Sequence, residues 1–96
     1  MMVIVSYDVS VVTLEGRRRL RRVARVCKDY GQRVQYSVFE CLIPADQWVT
    51  FRSKLLRIFE PAEDSFRFYF LGRNWQRRVE HHGTKAVPSL DEPLIV

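Results

Sequence analysis

No apolar run in this chain approaches the ~20 residues of a membrane-spanning helix. No leader with a basic start, an apolar stretch and a cleavage site is visible either. A cytoplasmic protein that does not use a membrane is therefore the expectation. The two cysteines, Cys27 and Cys41, lack metal-ligand spacing and sit within apolar patterns. They read as buried thiols in preference to a disulfide or a ligand pair. There is no internal repeat and no low-complexity segment. Acidic residues are the other shortage. The chain has 11 Asp and Glu against 16 Lys and Arg, and between Arg17 and Lys28 there is no acid at all.

What is present fits one small folded unit. Ninety-six residues make one domain, residues 1–96. A chain of this size buries roughly 60–65% of its unfolded surface, so its core is modest and pairing two subunits would enlarge it. A hydrophobic content of 47%, with six Phe and two Trp, argues for a globule and against disorder. A net charge of +5 favours an acidic partner, of which nucleic acid is the commonest and an anionic membrane surface the alternative.

Residues 2–9 read as a first strand, with Val3, Val5 and Tyr7 on one face and Ile4, Ser6 and Asp8 on the other. Thr13 is the expected N-cap of a helix running to about Tyr30, with Glu15 in its first turn and Gly31 as its stop. Leu20, Val23, Ala24, Cys27 and Tyr30 form its apolar stripe. The other faces carry Arg17, Arg18, Arg19, Arg21, Arg22, Arg25 and Lys28. Residues 33–43 read as one long second strand ended by Pro44, and residues 45–60 as a second helix with Trp48, Phe51, Leu55, Ile58 and Phe59 inward. Residues 66–72 give a third strand and Trp75 to His82 a weaker fourth. The tail, residues 84–96, is loop-like and ends in Leu-Ile-Val, which suits strand addition to a partner subunit. This order suits an α+β, ferredoxin-like sandwich of the βαββαβ type, with an antiparallel sheet and two helices on one face. The other face, expected to carry Phe, Tyr and Ile groups, would be bare in a monomer, so a face-to-face homodimer is the expectation.

Asp8 is the leading candidate for chemistry. A carboxylate at a strand end is often only a turn former or helix cap. A nuclease, however, needs charge neutralisation at the scissile phosphate and an activated water. A hard cation such as Mg²⁺, bound through one or two carboxylates plus water, supplies both. Two copies of Asp8 brought together by a two-fold axis make a plausible site, and a metal would relieve their mutual repulsion. Ser6 and Ser10 either orient water or phosphate there or are ordinary polar residues at a strand end. The arginines of the first helix read as nucleic-acid backbone contacts, because guanidinium forks match phosphate oxygens. Arg77 and Arg78 extend that surface. His81 and His82, with Glu80, are weaker candidates, since neighbours on a strand point to opposite faces. Glu40 and Asp64 read as ion-pair partners of nearby arginines. Nothing resembles base readout.

The opening strand ending in Tyr7-Asp8, the basic helix, the segment Gln35-Tyr36-Ser37-Val38-Phe39-Glu40 and the segment Asp64-Ser65-Phe66-Arg67-Phe68-Tyr69-Phe70-Leu71 together resemble the second universal CRISPR-associated protein family. These are the small endoribonucleases of the CRISPR adaptation module. The resemblance covers nearly the whole chain. It implies a ferredoxin-like homodimer, a divalent cation (Mg²⁺ or another such as Mn²⁺) held near the dimer axis by Asp8, and spacer acquisition in complex with the CRISPR integrase. Members are variously metal-dependent ribonucleases, deoxyribonucleases or non-catalytic scaffolds on DNA. The loop Val9-Ser10-Val11-Val12 is more apolar than the resemblance leads one to expect. An RNA-recognition module is disfavoured, because Phe66 to Phe70 lacks the glycines of its aromatic motif.

Overall fold

Alternation in the first strand does what period-two patterning requires. In β1 (Met2–Asp8) Val3, Val5 and Tyr7 are buried, Ile4 and Ser6 are half-buried, and Asp8 is exposed. The structure is a computed structural model and describes residues 1–83. The expected tail and its strand addition lie outside the described residues. Helix α1 (Leu14–Lys28) begins at Thr13, whose extended backbone lets Oγ1 accept the Gly16 N–H at 3.0 Å. Strands β2 (Gly31–Gln35) and β3 (Val38–Leu42) follow, and a 3-10 turn over Ala45–Gln47 leads into helix α2 (Trp48–Ile58). Strand β4 (Ser65–Phe70) and the one-turn helix α3 (Trp75–Arg78) complete the described elements.

All strand pairs are antiparallel, in the order β2-β3-β1-β4. With α1 and α2 packed on one face, this is the ferredoxin-like sandwich that the element order suggested. Val3, Val5, Phe39 and Cys41 of the sheet meet Val23 and Cys27 of α1 and Phe51 and Leu55 of α2. Trp48 makes edge-on contacts with Phe68 at 5.3 Å and Phe70 at 5.1 Å, so β4 is clamped to α2 by aromatic rings. Both cysteines are free and buried, as the sequence indicated. The hydrogen bond to Cys41, together with burial, pushes the Cys27 thiol far up.

Three expectations fail and a fourth holds only in part, each for a physical reason. The long second strand is two strands. Tyr36 and Ser37 form a tight turn, and Gln35 pairs with Val38. The pair is not the Asn-Gly, Asp-Gly or Gly-X of a two-residue hairpin, and Ser37 is its one common turn former, so the usual hairpin signal is missing. A register shift between Arg33 and Gln35 absorbs the mismatch, and the Ser37 carbonyl accepts the Tyr7 N–H at 3.1 Å. Gly31 does not end α1. The helix closes on Asp29, still in the right-handed region, and Gly31 opens β2. Its reason for being Gly is close approach, because a Cβ there would strike the Glu40 carbonyl and the Cys41 backbone. The expected fourth strand is α3 instead, entered after Gly72 (φ 77°) turns the chain away from the sheet. The open face also differs in content. The phenylalanines of β3 and β4 point to the helices, and the open face carries Ile4, Val38, Leu42 and Tyr69 among Ser6, Asp8, Glu40 and Arg67.

Candidate functional site

Asp8 is presented by the strand that carries it. Tyr7 is held inward between Phe39, at 6.2 Å, and Phe66, at 6.0 Å, and Val9 is buried beyond it. With both neighbours pinned to the core, alternation forces Asp8 out on the open face. Asp8 pairs with Ser65 of β4 and Ser6 pairs with Arg67. Arg67 is therefore a diagonal neighbour of Asp8 on that face, a cation that nothing in the sequence pattern singled out. The Asp8 carboxylate makes no hydrogen bond or ion pair with any described residue. No group of three or more His, Cys, Asp or Glu that could hold a metal occurs among the described residues. One carboxylate per chain still fits Mg²⁺, which keeps several waters and takes one or two carboxylates.

The segment after Asp8 is tied down by Asp64. This side chain is 1% exposed. Its Oδ1 accepts the Ser10 N–H at 3.3 Å and its Oδ2 accepts the Glu60 N–H at 3.0 Å. Arg19 donates to both oxygens, from Nε at 2.8 Å and from Nη2 at 3.2 Å, and also to Glu63 at 3.0 Å. Burial pushes the Asp64 carboxyl upward, but the bonds from Arg19 and from the Glu60 and Ser10 amides outweigh it and hold the group below the usual carboxylate range. The pairing of Asp64 with an arginine is as the sequence suggested. Its consequence was not legible there. Arg19 is 14% exposed and its fork is committed to Asp64 and Glu63, so it is a structural tie and not a free phosphate contact.

The remaining arginines of α1 stay outward. Arg17, Arg18, Arg21, Arg22 and Arg25 are exposed, and Arg17 also donates from Nε to the Thr13 carbonyl at 3.4 Å. Arg77 and Arg78 are exposed in α3, on a helix and not on the strand expected for them. Helices α1 and α2 lie on the face of the sheet opposite Asp8, so the structure does not gather the arginines of α1 around the carboxylate. His82 pairs locally with Glu80 at 2.6 Å, both fully outward, and neither joins Asp8. Glu40 has no arginine partner among the described residues. Burial pushes its carboxyl upward and His81 only partly offsets this.

Sequence reasoning missed two cations on α2. Lys54 and Arg57 stand across from Arg22 and Arg25 of α1 in a shared cleft. The available signal was the composition of α2, which contains Arg52, Lys54 and Arg57 and no acid.

Fold and surface together define a small ferredoxin-like protein with a strand-end carboxylate on its open face and strongly basic helices on the other. The chain belongs to the CRISPR associated protein Cas2 family, whose model matches residues 1–79. It is 58% identical, over the full length of both chains, to the CRISPR-associated endoribonuclease Cas2 of Chlorobaculum tepidum. It is 43% identical to the CRISPR-associated endonuclease Cas2 of Halalkalibacterium halodurans over 99% of each. The crystal structure of Streptococcus pyogenes Cas2 at pH 6.5 superposes with a TM-score of 0.77 at 55% identity, covering 86% of this chain and all of that one. The chain is thus a member of a family of CRISPR-associated nucleases.

Proposed function

We propose that this protein is a metal-dependent endonuclease of CRISPR adaptation, hydrolysing phosphodiesters as a homodimer whose two Asp8 carboxylates share one Mg²⁺ or Mn²⁺. One observation carries the reading: an exposed carboxylate with no partner among the described residues, fixed at a strand end on the open face of a cation-rich chain. When bound, the cation supplies charge neutralisation at the scissile phosphate and a more acidic water. Asp8 holds it, Tyr7 and Val9 keep Asp8 outward, and Asp64 fixes the backbone at Ser10. Arg67 shares that face, where its guanidinium would meet a phosphate oxygen. Purified protein should cleave RNA or DNA with Mg²⁺ and not with EDTA, the activity co-eluting with the protein. Activity that separates from it on a second column would count against the reading.

A second reading is a non-catalytic double-stranded DNA scaffold for the CRISPR integrase. It is favoured by the described residues forming no group of three or more His, Cys, Asp or Glu that could hold a metal within one chain. Both readings use the basic helices. Replacing Arg17, Arg18 and Arg21 together by Ala is expected to weaken binding on all sequences alike, since phosphates carry no sequence information. The slope of log K against log salt should fall by about 0.9 for each duplex phosphate that the variant no longer neutralises. Filter binding at three salt concentrations measures this, and an unchanged slope would show that the arginines only solvate the helix.

Dimerisation is expected through the open face, where Ile4, Val38, Leu42 and Tyr69 would otherwise meet water. Sedimentation at micromolar concentration should give twice the 11.4 kDa chain mass. A monomer there would also remove the shared metal site.

A further inference from the structure

We infer that the cleft between α1 and α2 is a binding site for a run of phosphate groups, separate from Asp8 and on the opposite side of the sheet. The cleft has a volume of about 290 Å³ and is lined by Arg22, Arg25 and Val26 of α1 and by Lys54, Arg57 and Ile58 of α2. That volume lies near the lower end of small-ligand sites, which start at roughly 300 Å³.

Each wall presents two cations at a spacing of three residues, which places both on the same face of their helix. No acid among the described residues lines the cleft. Neither helix contains an acid apart from Glu15, in the first turn of α1. The ion pairs among the described residues use Arg19 and His82, so none of these four cations is neutralised by one of them. Lys54 is steadied by the Tyr30 ring, with Nζ 5.7 Å from its centroid, a contact that leaves its three N–H donors free.

Four like charges around an apolar floor of Val26 and Ile58 repel one another, and this repulsion is relieved by an anion in the cleft. Three of the four are arginines, whose forks match phosphate oxygens two at a time. Four positive charges call for more than one phosphate. Because both walls are helices packed on one sheet, the spacing of the backbone positions that carry the charges is set before any ligand arrives. Two sources supply this chemistry: consecutive phosphates of a nucleic-acid strand, or a free oligophosphate.

The test uses the intact protein in EDTA, so that it does not depend on the metal site, and Asp8→Asn should behave as wild type. Inorganic tripolyphosphate is titrated by calorimetry, and its displacement of a fluorescent single-stranded oligonucleotide is followed by anisotropy. Lys54→Gln with Arg57→Gln is expected to weaken tripolyphosphate binding about tenfold, close to 1.4 kcal/mol. Lys28→Gln with Arg52→Gln removes the same charge from the same two helices outside the cleft and should change it less than about twofold, far below a tenfold step. Lys54→Arg with Arg57→Lys keeps the charges and should retain binding. Displacement of the oligonucleotide identifies nucleic-acid phosphates as the occupant, and tripolyphosphate binding without displacement identifies a free oligophosphate. Equal losses in the two charge-removing variants would overturn the site in favour of overall charge. Stronger competition by polyglutamate than by tripolyphosphate would overturn phosphate in favour of an acidic peptide.

Discussion

Asp8→Asn should abolish Mg²⁺-dependent cleavage and leave the dimer and the melting temperature intact. The asparagine keeps the shape of the side chain but removes the charge that draws the cation. Asp8 is exposed and has no partner among the described residues, so its replacement breaks no stabilising interaction there. The effect on rate should be large, because the same cation is asked both to neutralise the phosphate and to activate water. Cleavage is measured for both proteins purified side by side. Equal rates would take Asp8 out of the mechanism. A variant that no longer cleaves but still binds duplex DNA with an unchanged salt slope would separate the site from the basic helices, as their placement on opposite faces requires.

Asp64→Ala is expected to be the most destabilising single change of this kind. It removes the acceptor of the Ser10 and Glu60 amides and of both Arg19 donors. Arg19 keeps Glu63, but the Ser10 and Glu60 amides lose their acceptor at about 1–3 kcal/mol for each orphaned donor, so a total of about 3 kcal/mol is expected. For a domain of this size each kcal/mol shifts the melting temperature by about 4–8 °C, so a fall of ~12 °C or more is expected.

The pH dependence follows from the direction of the shift. The Asp64 carboxyl lies below its usual range in the folded protein, so the unfolded chain takes up a proton first as pH falls. The contribution is fully present above the ordinary unfolded value of about 4 and disappears as pH falls through the depressed folded value. The gap in melting temperature between wild type and Asp64→Ala should therefore be flat at neutral pH and narrow only in strong acid. Differential scanning calorimetry across that range is the measurement. A shift below ~2 °C at pH 7, well under the 4–8 °C per kcal/mol scale, would mean the tie is not structural.

Glu40 works in the opposite sense. Burial raises its carboxyl, so the charged form is disfavoured in the folded state and any penalty appears as pH rises through that raised value. Its position on the open face means that dimerisation would add to this burial.

The sequence by itself determined the layout of β1 and the two main helices. Period-two alternation in Met2–Asp8 and three- and four-residue spacing in α1 follow from burial of one face, and burial needs no knowledge of the partner surface. Thr13 was readable as a cap because its hydroxyl serves its own helix. Asp8 was readable for the same local reason, since strand alternation alone turned it away from Tyr7. Only the tertiary structure decided the turn at Tyr36-Ser37. Pairing of β3 with β1 fixes it, and no glycine or proline announces it. Tertiary packing alone also decided which arginines are free. Arg19 and Arg18 look alike in sequence, but α1 packs so that Arg19 reaches Asp64, 45 residues away. The cleft belongs to the same class. Arg22 and Arg25 meet Lys54 and Arg57 only because two helices distant in sequence lie side by side on one sheet. Sequence spacing records the face of a helix, and it does not record what that face will meet.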